Sequence, residues 1–130
     1  MYTFLVGSLF VFQSQMNTGV IDLEDLPKRE AIVTAYSSVE TCKKQCITAS
    51  GKVVDSTMAA CPRNLKFGTR VLINGLIYVC EDRTHERFDG RFDIFAGYGE
   101  ENYQKARLWG KKNLPVYILP ESFDESTSIS

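Results

Sequence analysis

The chain has 130 residues, 44% of them hydrophobic and 24% charged, which suffices for one domain with its own core and excludes two. With 15 basic against 16 acidic residues the formal net charge is -1. That balance argues against nucleic acid, which calls for a basic face, and favours an uncharged polymer such as a polysaccharide.

The first distinctive segment is "FLVGSLFVF", Phe4 to Phe12. It is apolar but too short to cross a bilayer, so no stable membrane span is expected. It reads as the core of an export signal, although no Lys or Arg precedes it and no A-x-A site follows; a buried strand or a misassigned start codon is the alternative. Export would place the protein in the cell envelope or outside the cell, whether a cell or a phage encodes it. The polar stretch up to Glu30, with "DLEDLPKRE", reads as a linker. The expected organisation is therefore a signal-like N-terminus and linker over 1–30, a domain over 31–120 and a disordered acidic tail over 121–130.

Cys42, Cys46, Cys61 and Cys80 form an even set. A zinc site is one use for them, but the spacings lack the paired C-x2-C knuckles of structural zinc modules. In an exported chain two disulfides fit better. Of the three possible connectivities, Cys42–Cys46 with Cys61–Cys80 is favoured.

Within the domain, "AIVTAYSS" (31–38) is rich in β-branched and aromatic residues and predicts a strand, and "TASGKVV" predicts a glycine turn with a short extended piece. In "TRVLINGLIYVCED", Asn74-Gly75 supplies the positive φ angles of a two-residue turn between apolar runs, the signature of a β-hairpin. If its second arm is regular, Asp82 shares a face with Leu76, Tyr78 and Cys80. "GRFDIFA" predicts the next strand, with Arg91, Asp93 and Phe95 on one face and Phe92, Ile94 and Ala96 on the other. One short helix is expected, opened by Glu100 and Glu101 and ended by Gly110, with Tyr103, Ala106 and Trp109 near one face as core residues. "LPVYILP" predicts a closing strand. Short strands with frequent turns make an all-β barrel or sandwich.

The segments "VTAY", "TASG", "LKFGTRVLING", "EDRTHERFDGRFDIF" and "LWGKKNLPVYIL", in this order, resemble the 3D domain, named for three aspartates and found in MltA-type lytic transglycosylases and related bacterial muralytic proteins. The resemblance runs from about Ile32 to Leu119. It implies a six-stranded double-psi β-barrel with one short helix. Asp82 and Asp93 match the second and third aspartates, with Asp93 at the position of the proposed catalytic acid. The first aspartate falls where this chain has Cys61, and a Cys61–Cys80 bridge would stand in its place. The loop "RTHERFDG" also departs from the Gly-Gly segment usual there, so that His85, Arg87 and Phe88 would line or crowd the groove, together with Thr34 and Tyr36 of "VTAYS".

The activity so implied is cleavage of the bond between N-acetylmuramic acid and N-acetylglucosamine. One carboxyl, Asp93, would protonate the leaving oxygen and then accept the proton of the muramic O6 hydroxyl, giving a 1,6-anhydro end, while Asp82 tunes or orients it. The implied partner is peptidoglycan or a related glycan, acted on by a monomer without metal or cofactor. Two other readings remain open: a non-catalytic wall-binding module, and a glycoside hydrolase in which Asp82 activates water. Apart from the resemblance, Asp93 reads as a rim residue ion-paired to Arg91 or Arg87, His85 as a solvated loop residue and Asp89 as a turn residue.

Overall fold

The computed structural model describes residues 19–42 and 45–130; the apolar stretch from Phe4 to Phe12 lies outside them. Two compact units emerge, Pro27–Glu121 and one made of the segments flanking it. In the smaller unit, β1 (Val20–Ile21) and β8 (Ser128–Ile129) form a parallel two-stranded ladder. The end of the tail expected to be disordered is thus paired. Its backbone groups are satisfied by β1, a long-range pairing that composition does not announce.

The larger unit contains β2 (Lys28–Ser37), α1 (Ser38–Thr41), β3 (Met58–Cys61), β4 (Arg70–Ile73), β5 (Leu76–Arg83), β6 (Phe92–Gly97), α2 (Gly99–Trp109) and β7 (Lys112–Ile118). Its six strands close into a barrel in the order β2-β6-β3-β5-β4-β7. The β2–β6 and β3–β5 pairs are parallel and the other four antiparallel. Lys28, Arg29 and Glu30, read as linker, belong to β2, where they pair with Tyr117, Val116 and Pro115 of β7.

Local chemistry explains the elements that position the site. Ile73 pairs with Leu76 across Asn74 (φ 52°) and Gly75 (φ 83°), which is the expected two-residue hairpin. The helix α2 ends at Gly110, whose φ of 70° is costly for a residue with a Cβ. It is fastened by the Trp109 indole N–H, which donates to the Val33 carbonyl at 3.1 Å, and by the buried Ala106.

Alternation gives the strands two buried faces. Val33, Ala59, Cys61, Val71, Ile73, Tyr78, Cys80, Phe92, Ile94 and Val116 fill the barrel. On the other side of the same strands, Tyr36, Ala60 and Phe95 pack with Cys46 and Val54 of the segment linking α1 to β3. That second cluster buries strand faces that would otherwise meet water. It therefore creates the low-dielectric surroundings of the site described below.

The cysteines form two disulfides, Cys42–Cys46 and Cys61–Cys80, each with Cα atoms 5.5 Å apart. Both Cys61 and Cys80 are fully buried. Their bridge joins the end of β3 to the middle of β5 across the parallel pair, closing a loop 19 residues long in sequence separation. Replacing both by alanine is expected to cost about 3 kcal/mol, checked by comparing urea denaturation of the double variant with that of the oxidised wild type.

Candidate active site

A β-bulge determines where Asp82 points. Ala59 pairs with Cys80 and Ala60 with Asp82, leaving Glu81 as an extra residue on β5. The strand is thus not regular, and the expected sharing of a face by Asp82 with Tyr78 and Cys80 does not hold. Tyr78 and Cys80 stay in the barrel interior, while Asp82 turns to the outer face and accepts a hydrogen bond from the Tyr36 hydroxyl at 3.2 Å. The bulge residue Glu81 is buried and ion-paired to Lys52 at 2.8 Å.

Register then aligns four residues in a lateral row. Thr34 of β2 pairs with Asp93 of β6, Asp93 with Ala60 of β3, and Ala60 with Asp82 of β5. Adjacent strands lie about 4.8 Å apart, so the two acids stand roughly 10 Å apart at the backbone, with only the Ala60 methyl between them. Both therefore face the side of Tyr36 and Phe95.

The two carboxyl groups have different surroundings. Asp82 takes the backbone N–H groups of Ala49 and Arg83 on Oδ1, at 3.0 and 2.9 Å, and the Tyr36 hydroxyl on Oδ2. Protein donors thus occupy both of its oxygens. Asp93 receives one hydrogen bond, from the Thr34 hydroxyl to Oδ1 at 3.0 Å, and its Oδ2 has no hydrogen-bond partner among the described residues. Burial pushes the Asp93 pKa from 3.8 up to about 6; Thr34 opposes the shift, and Glu40 and Asp82 add to it as like charges. Tyr36 is held un-ionised, first by burial and then by Asp82, and so remains a donor.

Arg91, expected as a counter-charge, is not ion-paired to Asp93. Its guanidinium lies 4.4 Å from the Phe88 ring centroid, and Arg87 covers the same ring at 5.1 Å. A cavity of about 230 Å³ is lined by Thr34, Thr84, His85, Phe88, Arg91 and Asp93. The loop walling it is pinned by Asp89, which caps the Arg63 N–H at 3.0 Å and pairs with its side chain at 3.6 Å. Asp89 is therefore a tie between turns. His85 is exposed, accepts the Arg87 N–H on Nδ1 at 3.3 Å and meets Phe88 edge to face.

Of the residues singled out from sequence, Asp93, Thr34, His85 and Phe88 meet in this cavity. Asp82 and Tyr36 stand beside it and are spent on each other, and Arg87 stacks on its wall. Sequence reading missed Thr84 as a lining residue, treated Arg91 only as a charge opposing Asp93, and overlooked Glu40 and the Ala49 amide. The motif "TASG" contained Ala49, but a backbone donor leaves no trace in residue type. Among the described residues no cluster of His, Cys, Asp or Glu could hold a metal ion.

Two parallel and four antiparallel pairings closed over six strands make a mixed β-barrel. Two crystal structures of MltA from Escherichia coli share it, one described as revealing a unique lytic transglycosylase fold. Each matches with a TM-score of 0.50 and 22% identity over 62% of this chain. This barrel is therefore of the MltA type. The chain spans only 29% of the MltA chain it matches. No protein-family model matches it, and neither does any curated protein sequence.

Because Asp93 binds its proton more tightly folded than unfolded, stability should fall as pH rises from about 4 to about 6 and stay lowered above that. Asp93→Asn should accordingly be more stable than the wild type at neutral pH by about 1–3 kcal/mol, an advantage that vanishes below about pH 4. Thermal melts across pH check this. Removing the opposing hydrogen bond with Thr34→Val should move the Asp93 titration upward, read by NMR of the carboxyl carbon.

Proposed function

We propose that this barrel cleaves the glycan strands of peptidoglycan as a lytic transglycosylase, with Asp93 as the only acid and base. The observation that carries the reading is a half-buried carboxyl, protonated up to about pH 6, with one oxygen uncommitted on a cavity of an MltA-type barrel. Such a group can give its proton to the glycosidic oxygen as the bond to the muramic C1 breaks. The carboxylate left behind then takes the proton of the O6 hydroxyl while O6 bonds to C1. Atoms balance without water, and the acid regenerates for the next cycle.

Hydrolysis requires a second carboxylate free to activate water or attack C1. Asp82 is a poor candidate, because two amides and the Tyr36 hydroxyl already occupy its oxygens. It serves instead as a fixed charge that helps Asp93 keep its proton. The Cys61 substitution does not argue for an inactive wall-binding module, since Cys61 is fully buried in the barrel interior and bridged to Cys80. A carboxylate at that position would not reach the cavity without leaving the core. The disulfides fit an exported protein acting on the envelope, and among the described residues no helix is long and apolar enough to cross a membrane.

Mass spectrometry of purified peptidoglycan after incubation should show 1,6-anhydro ends. Reducing ends would mean a hydrolase, and binding without products a module. Asp93→Asn should lower the rate by roughly 10²–10⁴, since the amide keeps the shape but cannot transfer a proton. Asp82→Asn should cost less. The wild-type rate should decline as pH rises through about 6, where Asp93 loses its proton; a rate undiminished well above that value would remove Asp93 from the acid role.

A further inference from the structure

Two polar groups on the cavity have no role in proton transfer and no hydrogen-bond or ion-pair partner among the described residues. The Arg91 side chain has no ion-pair partner among the described residues; its guanidinium is oriented by stacking on Phe88, which leaves its edge N–H groups available to a planar acceptor. The Thr84 hydroxyl is buried and makes no hydrogen bond among the described residues. Buried hydroxyls are nearly always paired, so an orphan at a cavity wall marks a place where a bound molecule supplies the missing partner. Thr84 lines the cavity, and threonine outside a helix has more than one staggered χ1 well.

We propose that Arg91, laid on Phe88, and Thr84 form a subsite for a carboxylate carried on the sugar strand next to the bond that Asp93 cleaves. The inference rests on the glycan-cleaving reading above and gives it a specificity. A guanidinium edge matches the two oxygens of a carboxylate, a hydroxyl adds a third contact, and both side chains line the same cavity of about 230 Å³. The nearest acid on the cavity is Asp93 itself, which is protonated below about pH 6 and then does not repel an anionic ligand. The loop "RTHERFDG" supplies two of the three residues concerned here, Thr84 and Phe88, with Arg91 immediately after it. A strand of uncharged N-acetylglucosamine units lacks the group this subsite would read. The carboxylate can come from the lactyl ether of a peptide-free strand or from an acidic residue of an attached peptide.

Binding at about pH 5, where a ligand carboxylate is ionised, tests the subsite apart from catalysis. The Asp93→Asn protein would be titrated with peptide-free peptidoglycan strands, with the same strands after their carboxylates are converted to amides, and with strands carrying intact peptides. Peptide-free strands should bind at least about tenfold tighter than the amidated ones, as expected for a charge-assisted pair. That ratio should collapse toward unity when Arg91→Gln is added. Preference for peptide-bearing over peptide-free strands would place the carboxylate on the peptide; the reverse would place it on the lactyl group. Thr84→Val should weaken binding of the carboxylated strand while leaving stability equal or higher, since it removes an unpaired buried hydroxyl. A purely structural threonine would show the opposite pattern. Equal binding of carboxylated and amidated strands overturns the subsite, as does a ratio that survives Arg91→Gln. Anhydro products from the wild type would in either case leave the cleavage reading standing.

Discussion

The site depends on one alanine. Ala60 sits between Asp93 and Asp82 because β3 runs between β6 and β5, and its methyl is the side chain that the register places between the two acids. A larger residue would fill the space through which the two carboxyls influence each other; glycine would loosen a strand at the junction of a parallel and an antiparallel ladder. The field that Asp82 exerts on Asp93 is thus set by strand order and a bulge, not by any direct contact between them.

Holding an acid this way is destabilising. Asp93 loses hydration, and its partner Thr34 compensates with a single hydrogen bond. The surroundings offset that cost. Phe92 and Phe95, flanking Asp93 in sequence, are each almost wholly buried on opposite faces of β6, and the Cys61–Cys80 bridge restrains β3 against β5 beside the row. Asp82 is fixed from three directions, by β2 through Tyr36 and by backbone amides from the turn after α1 and from its own strand. One carboxyl is satisfied by the protein and the other is left half-satisfied. That difference divides their roles more clearly than residue type could.

The wall of the cavity is built on another principle. Its loop contains a single 3₁₀ turn, Glu86–Phe88, and is held by a cap to the Arg63 turn and by arginines stacked on an exposed ring. Contacts of this kind orient side chains while leaving their polar edges in water. A frame of buried strands carries Asp93, and a polar, stacked loop forms the cavity wall beside it.

Much of the barrel was legible from the chain because the signals are local. Asn74-Gly75 can hardly be other than a tight turn, Gly110 ends a helix by its φ, and the alternation in "GRFDIFA" separated Asp93 from Phe92 and Ile94 without reference to any other strand. Asp93 itself stood out as a carboxyl among apolar neighbours, and the ordered segments around it implied the fold. What tertiary structure alone decided involves partners distant in sequence. The bulge that turns Asp82 outward arises from parallel pairing with β3, two of the three donors to Asp82 come from 46 and 33 residues away, and the pairing of the chain's last residues with β1 spans more than a hundred. Whether Arg91 would neutralise Asp93 or stack on Phe88 could not follow from alternation, which gives the face of a side chain but not the direction of its far end. The sequence determined which groups are present and how the strands alternate; closure of the barrel decided which of those groups meet, because hydrogen bonds and charge act through distances that only the fold sets.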